Sequence, residues 1–151
     1  MTEKMSASRR ISGPEEDLFV CLLRTADLLS RNVEKVLKTG DVSPTQYNVL
    51  RILRGALEGL TCNEVGKRMI NRDPDITRLL DRLEKRGLIS RCRETKDRRQ
   101  VQTRITPEGL RLLKELDGPV TKIHRQQLGH LGRDGVRRLQ ELLEKARQKV
   151  E

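Results

Sequence analysis

The sequence predicts a mainly α-helical chain that carries one small β-hairpin, and three observations predict it. Apolar residues recur at helical spacing through most of the length: Leu18, Cys21, Leu22, Leu28 and Leu29 early, Ile76, Leu79, Leu80 and Leu83 in the middle, and Val136, Leu139, Leu142 and Leu143 late. Only two short runs, 88–93 and 101–105, read as strands, and the polar stretch 94–100 between them reads as a hairpin loop. Phe19 and Tyr47 are the only aromatic residues, so the core must be built from Leu, Ile and Val, as in helix bundles.

Each element has a local reason. Residues 1–14 are polar and small, end in Gly13-Pro14, and read as a flexible arm. Glu15, Glu16 and Asp17 then put negative charge where a helix N-terminus favours it, and the first helix runs to about Thr39 before Gly40-Asp41. Ser43 as N-cap and Pro44 at the first helical position start a second helix that reaches about Arg54. After a break over 55–60, Thr61 and Glu64 form a capping box for a third helix over about 62–69, with Val65, Met69 and Ile70 turned inward. Asn71-Arg72 makes a turn. Asp73 is then the candidate N-cap, with Pro74 at the first position, for a fourth helix that ends at Gly87. Past the hairpin, Thr106-Pro107 caps a long helix to about Gln127, in which Gly118-Pro119 is a place for a kink or a split. A loop over 129–134 leads to a last helix that Asp134 can cap.

Composition narrows the function. The 151 residues hold 36% charged and 34% hydrophobic residues with a formal net charge of +10. So basic a balance favours a polyanion, either nucleic acid or an anionic membrane surface. No run is apolar for the roughly 18 residues of a membrane span, and residues 1–17 lack the apolar core of a signal peptide. The chain is expected to be cytoplasmic. Cys21, Cys62 and Cys92 are odd in number and lack metal-ligand spacing, and the two histidines, His124 and His130, make no ligand cluster, so neither a metal nor a cofactor is assigned. No nucleophile stands beside a base and no glycine-rich phosphate loop is present, so an enzyme is not expected.

The middle of the chain carries the chemistry. Two short helices joined by a tight turn make a helix-turn-helix, whose second helix offers its N-terminal residues to the major groove of DNA. The fourth helix has an apolar back and a polar front of Asp75, Thr77, Arg78 and Arg82. Arg78 can make a bidentate contact to guanine, Thr77 can touch a thymine methyl or a phosphate, and Arg82 suits the backbone. Each of these is also compatible with a solvated helix face. Asp75 either accepts from a cytosine amine or satisfies the first helical turn. Thr61, at the start of the third helix, and Arg72, in the turn, complete the set expected to face DNA. The hairpin tip Lys96-Asp97-Arg98-Arg99 is strongly cationic and can place an arginine in the narrow, electronegative minor groove. Its alternative is charge that guards an exposed strand edge.

These residues resemble a known family. The run from Thr77 to Ile89, TRLLDRLEKRGLI, is similar to the recognition helix and first wing strand of MarR-type winged-helix regulators. Asp97-Arg98-Arg99 resembles the wing motif of that family, Ile105 to Gly109 its exit into a dimerisation helix, and Ser43 to Tyr47 the start of its second helix. The resemblance implies a mainly α fold with a small β-wing: a winged helix-turn-helix with long N- and C-terminal dimerisation helices. On that division, residues 15–151 form one domain, with a DNA-binding lobe over about 44–105 and dimerisation helices over about 15–39 and 107–150. It implies a homodimer on a pseudo-palindromic operator in double-stranded DNA, with Arg99 entering the minor groove and Asp97 steadying it. It further implies a transcriptional repressor released by a small aromatic or phenolic effector bound between the dimer helices and the lobe. The alternative within the family is release by oxidation of Cys21, although the tyrosines that usually partner such a cysteine are missing here. Independently of the resemblance, the terminal helices carry more apolar surface than one small lobe can cover, which favours pairing with a second copy.

Overall fold

A computed structural model describes residues 13–93 and 100–151, and its helices begin mostly where the capping residues stand. The order is α1 (Pro14–Leu37), α2 (Pro44–Arg54), β1 (Leu60–Thr61), α3 (Cys62–Arg68), α4 (Ile76–Lys85), β2 (Ile89–Arg93), β3 (Val101–Ile105), α5 (Pro107–Leu128) and α6 (Gly132–Gln148). The fold is mainly α with a small β-wing, the winged helix-turn-helix arrangement expected, and long helices lie at both ends. The predicted arm falls mostly outside the described residues, as does the whole tip Lys96-Asp97-Arg98-Arg99.

Three starts match the sequence reading. Ser43 and Gln46 close a capping box on α2, Thr61 and Glu64 close one on α3, and the Thr106 hydroxyl accepts from Gly109 N at 3.1 Å on α5. Two starts differ. The cap of α4 is Asp75 rather than Asp73: Asp75 Oδ1 accepts from Arg78 N, while Asp73 Oδ1 accepts from Asp75 N and so spends itself on the turn before the helix. Asp134 does not cap α6. Leu131 occupies the cap position with no side-chain bond, and Asp134 sits inside the first turn. The 129–134 loop is also shorter than expected, a three-residue 3-10 turn at Gly129–Leu131 followed directly by α6. Helix α5 passes through Gly118-Pro119 without a split.

The sheet has three strands, not two. Their order is β1-β3-β2, all antiparallel, with Ile89 opposite Ile105 and Arg93 opposite Val101 in the hairpin, and Leu60 opposite Thr103 on the far edge. Strand β1 runs straight into α3 and pairs with β3, so the start of that helix is tied to the hairpin. At the other end of the lobe α4 closes with Gly87 at φ +73°, a conformation glycine adopts without a Cβ clash. Gly87 N donates to Glu84 O and Leu88 N to Leu83 O, the paired bonds of a Schellman turn. The Thr106 hydroxyl donates to Gly87 O at 2.6 Å and ties that turn to the start of α5.

The core lies under the lobe. Val49, Leu50, Leu53, Val65, Leu80, Leu83, Ile89 and Leu113 are almost wholly buried, and they come from α2, α3, α4, β2 and α5. The terminal helices contribute little to it. Of α1 only Leu37 is buried, and of α6 nothing is. Leu18, Phe19, Leu23 and Leu28 on α1 and Val136, Leu139 and Leu142 on α6 stand exposed. Ile70, expected inward, is 83% exposed. Helix α3 stops at Arg68, and Met69 is extended at φ −66°, ψ 144°. In extended chain successive side chains alternate, so buried Met69 turns Ile70 outward.

Candidate nucleic-acid interface

Helix α4 has a deep apolar side and an open polar one. Leu79, Leu80 and Leu83 are buried, and Ile76 packs partly buried against the same core. Thr77, Arg78 and Arg82 are exposed, with Arg78 and Arg82 one turn apart on one face. Asp75 does two things for this face. It caps the helix, and its Oδ2 pairs with Arg78 Nε at 3.2 Å, which holds an arginine that remains 71% exposed. Arg72 is exposed in the turn that leads to α4. Thr61 is half-buried, its hydroxyl engaged by Glu64 N and its own N–H donated to Glu64 Oε2 at 2.8 Å. The expected residues in α3, the turn and α4 thus come together around one short helix pair, while the tip residues Lys96, Asp97, Arg98 and Arg99 lie outside the described residues.

The sequence reading missed a brace behind this face. Arg91, on β2, reaches both carboxylates of α4: its guanidinium takes Glu84 through Nε at 3.2 Å and Nη2 at 3.0 Å, and the same Nη2 bonds Asp81. The Arg91 side chain is only 22% exposed. The one available signal was spacing, because Asp81 and Glu84 lie three apart on one helix face. A second missed pair, Arg54 with Asp117, joins α2 to α5 through two contacts of 3.0 and 2.9 Å. Hydrogen bonding to Asp117 holds the Arg54 pKa above its ordinary value. Arg86, a third, bonds Asp41 O and ties the end of α4 to the turn between α1 and α2.

These contacts sort the charges. Residues 60–93 contain nine Lys and Arg against five Asp and Glu. All five carboxylates have internal work: Glu64 on Thr61 N, Asp73 on Asp75 N, Asp75 on Arg78, and Asp81 and Glu84 on Arg91. Lys67, Arg68, Arg72, Arg82, Lys85 and Arg93 are exposed and hold no hydrogen bond or ion pair among the described residues. The outward field of the helix pair is therefore positive even though its sequence is mixed in sign.

The brace has a pH signature. Glu84 titrates below its ordinary 4.5, first because its carboxylate accepts hydrogen bonds from Arg91. A carboxyl lowered in the folded state adds stability above its unfolded pKa, and that stability is lost as pH falls through the folded value. Wild type should therefore lose more stability than Arg91→Met between about pH 5 and pH 3, measured by urea denaturation across that range. With Glu84 40% exposed, solvent screening keeps the difference below about 1 kcal/mol. Parallel pH curves for the two proteins would show that the pair adds nothing.

A cavity of ≈ 540 Å³ opens between the end of α1, the start of α2 and the last turns of α4. Glu34, Lys38, Ser43, Gln46, Arg82 and Arg86 line it. Arg82 therefore belongs to both the cavity and the outer face of α4. Cys21 is exposed on α1, and no group of three or more His, Cys, Asp or Glu side chains placed to hold a metal occurs among the described residues.

A helix pair backed by a core, flanked by a three-stranded wing and carried between long helices defines a winged helix-turn-helix protein. Residues 42–101 match the profile of the MarR family. The crystal structure of a MarR transcription factor from Planctomyces limnophilus is 38% identical, over 89% of this chain and 98% of that one, with a TM-score of 0.69. A mutant MarR from E. coli, crystallised with operator DNA, is 26% identical over 86% of this chain and 93% of that one, with a TM-score of 0.79. The transcriptional repressor YetL of Bacillus subtilis is 29% identical over 82% of this chain and 75% of its own length. The chain belongs to the MarR family of winged-helix transcriptional regulators.

Proposed function

We propose that this chain is a cytoplasmic, homodimeric repressor that binds a pseudo-palindromic operator in double-stranded DNA and releases it when a small effector binds. One observation carries the DNA-binding part: around α3 and α4 every carboxylate is engaged internally while six cations face solvent. Such a surface displaces counterions from a phosphate backbone. Arg78, fixed by Asp75 at the start of α4, reads a base edge, and Arg72 and Arg82 take phosphates. Thr61, Asp75 and Thr77 border the same contact, and the wing arginines enter the minor groove, with Arg99 the leading residue and Asp97 its support. The lobe over 44–105 reads DNA and the helices over 15–39 and 107–150 form the dimer. Operator binding by the E. coli relative and the repressor name of the B. subtilis relative support the direction of this reading.

The cavity between α1, α2 and α4 is the place for the effector, because an occupant there meets Arg82. A small phenolic acid would offer that arginine a competing partner.

The test is a binding titration on duplex DNA from upstream of the chain's own gene. Wild type should bind one segment specifically, with affinity falling steeply as salt rises. Arg78→Ala and Arg99→Ala should each weaken specific binding by about 1–3 kcal/mol and leave non-specific binding nearly unchanged. No specific complex with wild type, or both variants binding like wild type, would overturn the assignment.

A further inference from the structure

Ile70 is the most exposed large apolar residue of the helix pair, at 83%, and it stands between two exposed cations, Arg68 and Arg72. Its position is held. Ile70 N donates to Asn48 Oδ1 at 2.9 Å, so a side chain from α2 fixes the backbone just after α3 ends. Met69 beside it is buried and anchors the same segment in the core. An isoleucine on a loose loop is common and needs no explanation. Here a β-branched, conformationally stiff side chain is pinned through its own backbone and exposed beside two cations that hold no hydrogen bond or ion pair among the described residues. Charge selects the occupant, because a surface rimmed by Arg68 and Arg72 draws phosphates, and what a polyanion offers an isoleucine between its phosphates is an apolar group of the nucleotide.

We infer that Ile70 is an apolar DNA-contact residue, one that packs on a thymine methyl or the apolar face of a deoxyribose next to the bases that α4 reads. The inference rests on the DNA-binding reading above and adds to it a contact that no charged residue can supply. A thymine methyl is the apolar mark of the major groove, so a contact to it carries sequence information, whereas a sugar contact carries affinity alone.

The experiment uses the full chain and a duplex selected by the wild-type protein from a random pool, made with thymine and again with uracil, which lacks the methyl group. Ile70→Ala should fold with an unchanged denaturation midpoint, since the side chain is exposed, and should bind the thymine duplex about fivefold or more weakly, at about fourfold per methylene removed from contact. If the methyl is the partner, wild type loses affinity on the uracil duplex and Ile70→Ala loses little more there. If the sugar is the partner, the loss from Ile70→Ala is the same on both duplexes. Asn48→Ala, which frees the Ile70 backbone, should weaken binding in wild type and add little to Ile70→Ala. Equal affinity of Ile70→Ala and wild type on both duplexes, with Arg78→Ala still impaired, would overturn the inference and leave the DNA-binding reading standing. Failure of the wild type to select any duplex would overturn both.

Discussion

Gly109→Ala should destabilise the protein by about 3 kcal/mol, at the upper end of what overpacking usually costs. A Cβ at Gly109 would lie 2.4 Å from Leu88 O and 2.7 Å from Ile105 Cγ1. The first of these atoms is backbone and cannot swing away. Leu88 O is moreover the acceptor for Thr106 N, so moving it breaks the bond that joins the end of α4 to the start of α5. The control lies in the same helix. Gly118 sits in the interior of α5, and beyond its chain neighbours and the backbone of its own helix nothing lies within 4 Å of where its Cβ would be. Gly118→Ala should therefore change stability by less than about 1 kcal/mol, the helix-propensity gain being offset by the crowding of a Cβ against the ring of Pro119. Urea denaturation at one fixed protein concentration checks both, because pairing of two copies, as proposed above, would make stability depend on concentration. Similar midpoints for the two variants would mean that the close approach at Gly109 relaxes freely.

The second large effect concerns the terminal helices. On the proposed pairing of two copies through the terminal helices, Leu139→Asp combined with Leu142→Asp should give a monomer that binds the operator at least about a hundredfold more weakly than wild type, since linked half-sites gain two or more orders of magnitude from simultaneous engagement. Leu139 is 41% and Leu142 64% exposed in the single chain, three apart on one face of α6. Leu18, Phe19, Leu23 and Leu28 of α1 are likewise left uncovered by the lobe. Because neither leucine supports the lobe core, the double variant should keep its helical content, read by circular dichroism. Sedimentation of the variant as a dimer with wild-type affinity would place the pairing surface elsewhere.

The elements that were legible in the sequence are those whose instructions are local. Ser43-Pro44, Thr61 with Glu64, and Thr106-Pro107 each settle a helix start within four residues, and each is where the sequence puts it. Asp73 and Asp75 flank one proline, and either can cap. The Asx bond to Asp75 N decides between them, and nothing in the composition of the segment announces it. Ile70 fits the helical period of α3, but the helix stops two residues earlier and the period changes from 3.6 to 2. Strand β1 was invisible because two residues show no alternation; Leu60 and Thr61 become a strand only through the free edge of β3. The site divides in the same way. Arg78 and Arg82 were readable as the polar face of an amphipathic helix. Arg91 was not, because its partners lie seven and ten residues back and meet it only once β2 has folded against α4.

A single residue, Thr106, separates β3 from α5, and its hydroxyl is bonded on both sides, to Gly87 O and from Gly109 N. No slack chain stands between the wing and the longest helix after it. Helix α5 extends about 33 Å from that joint at 1.5 Å per residue, and the Arg54–Asp117 pair fastens its middle to α2. It is a crank with a short arm and a long one. A tilt imposed at the far end of α5 is therefore expected to carry the lobe and its strands as one body, because no flexible link stands at either joint to absorb it.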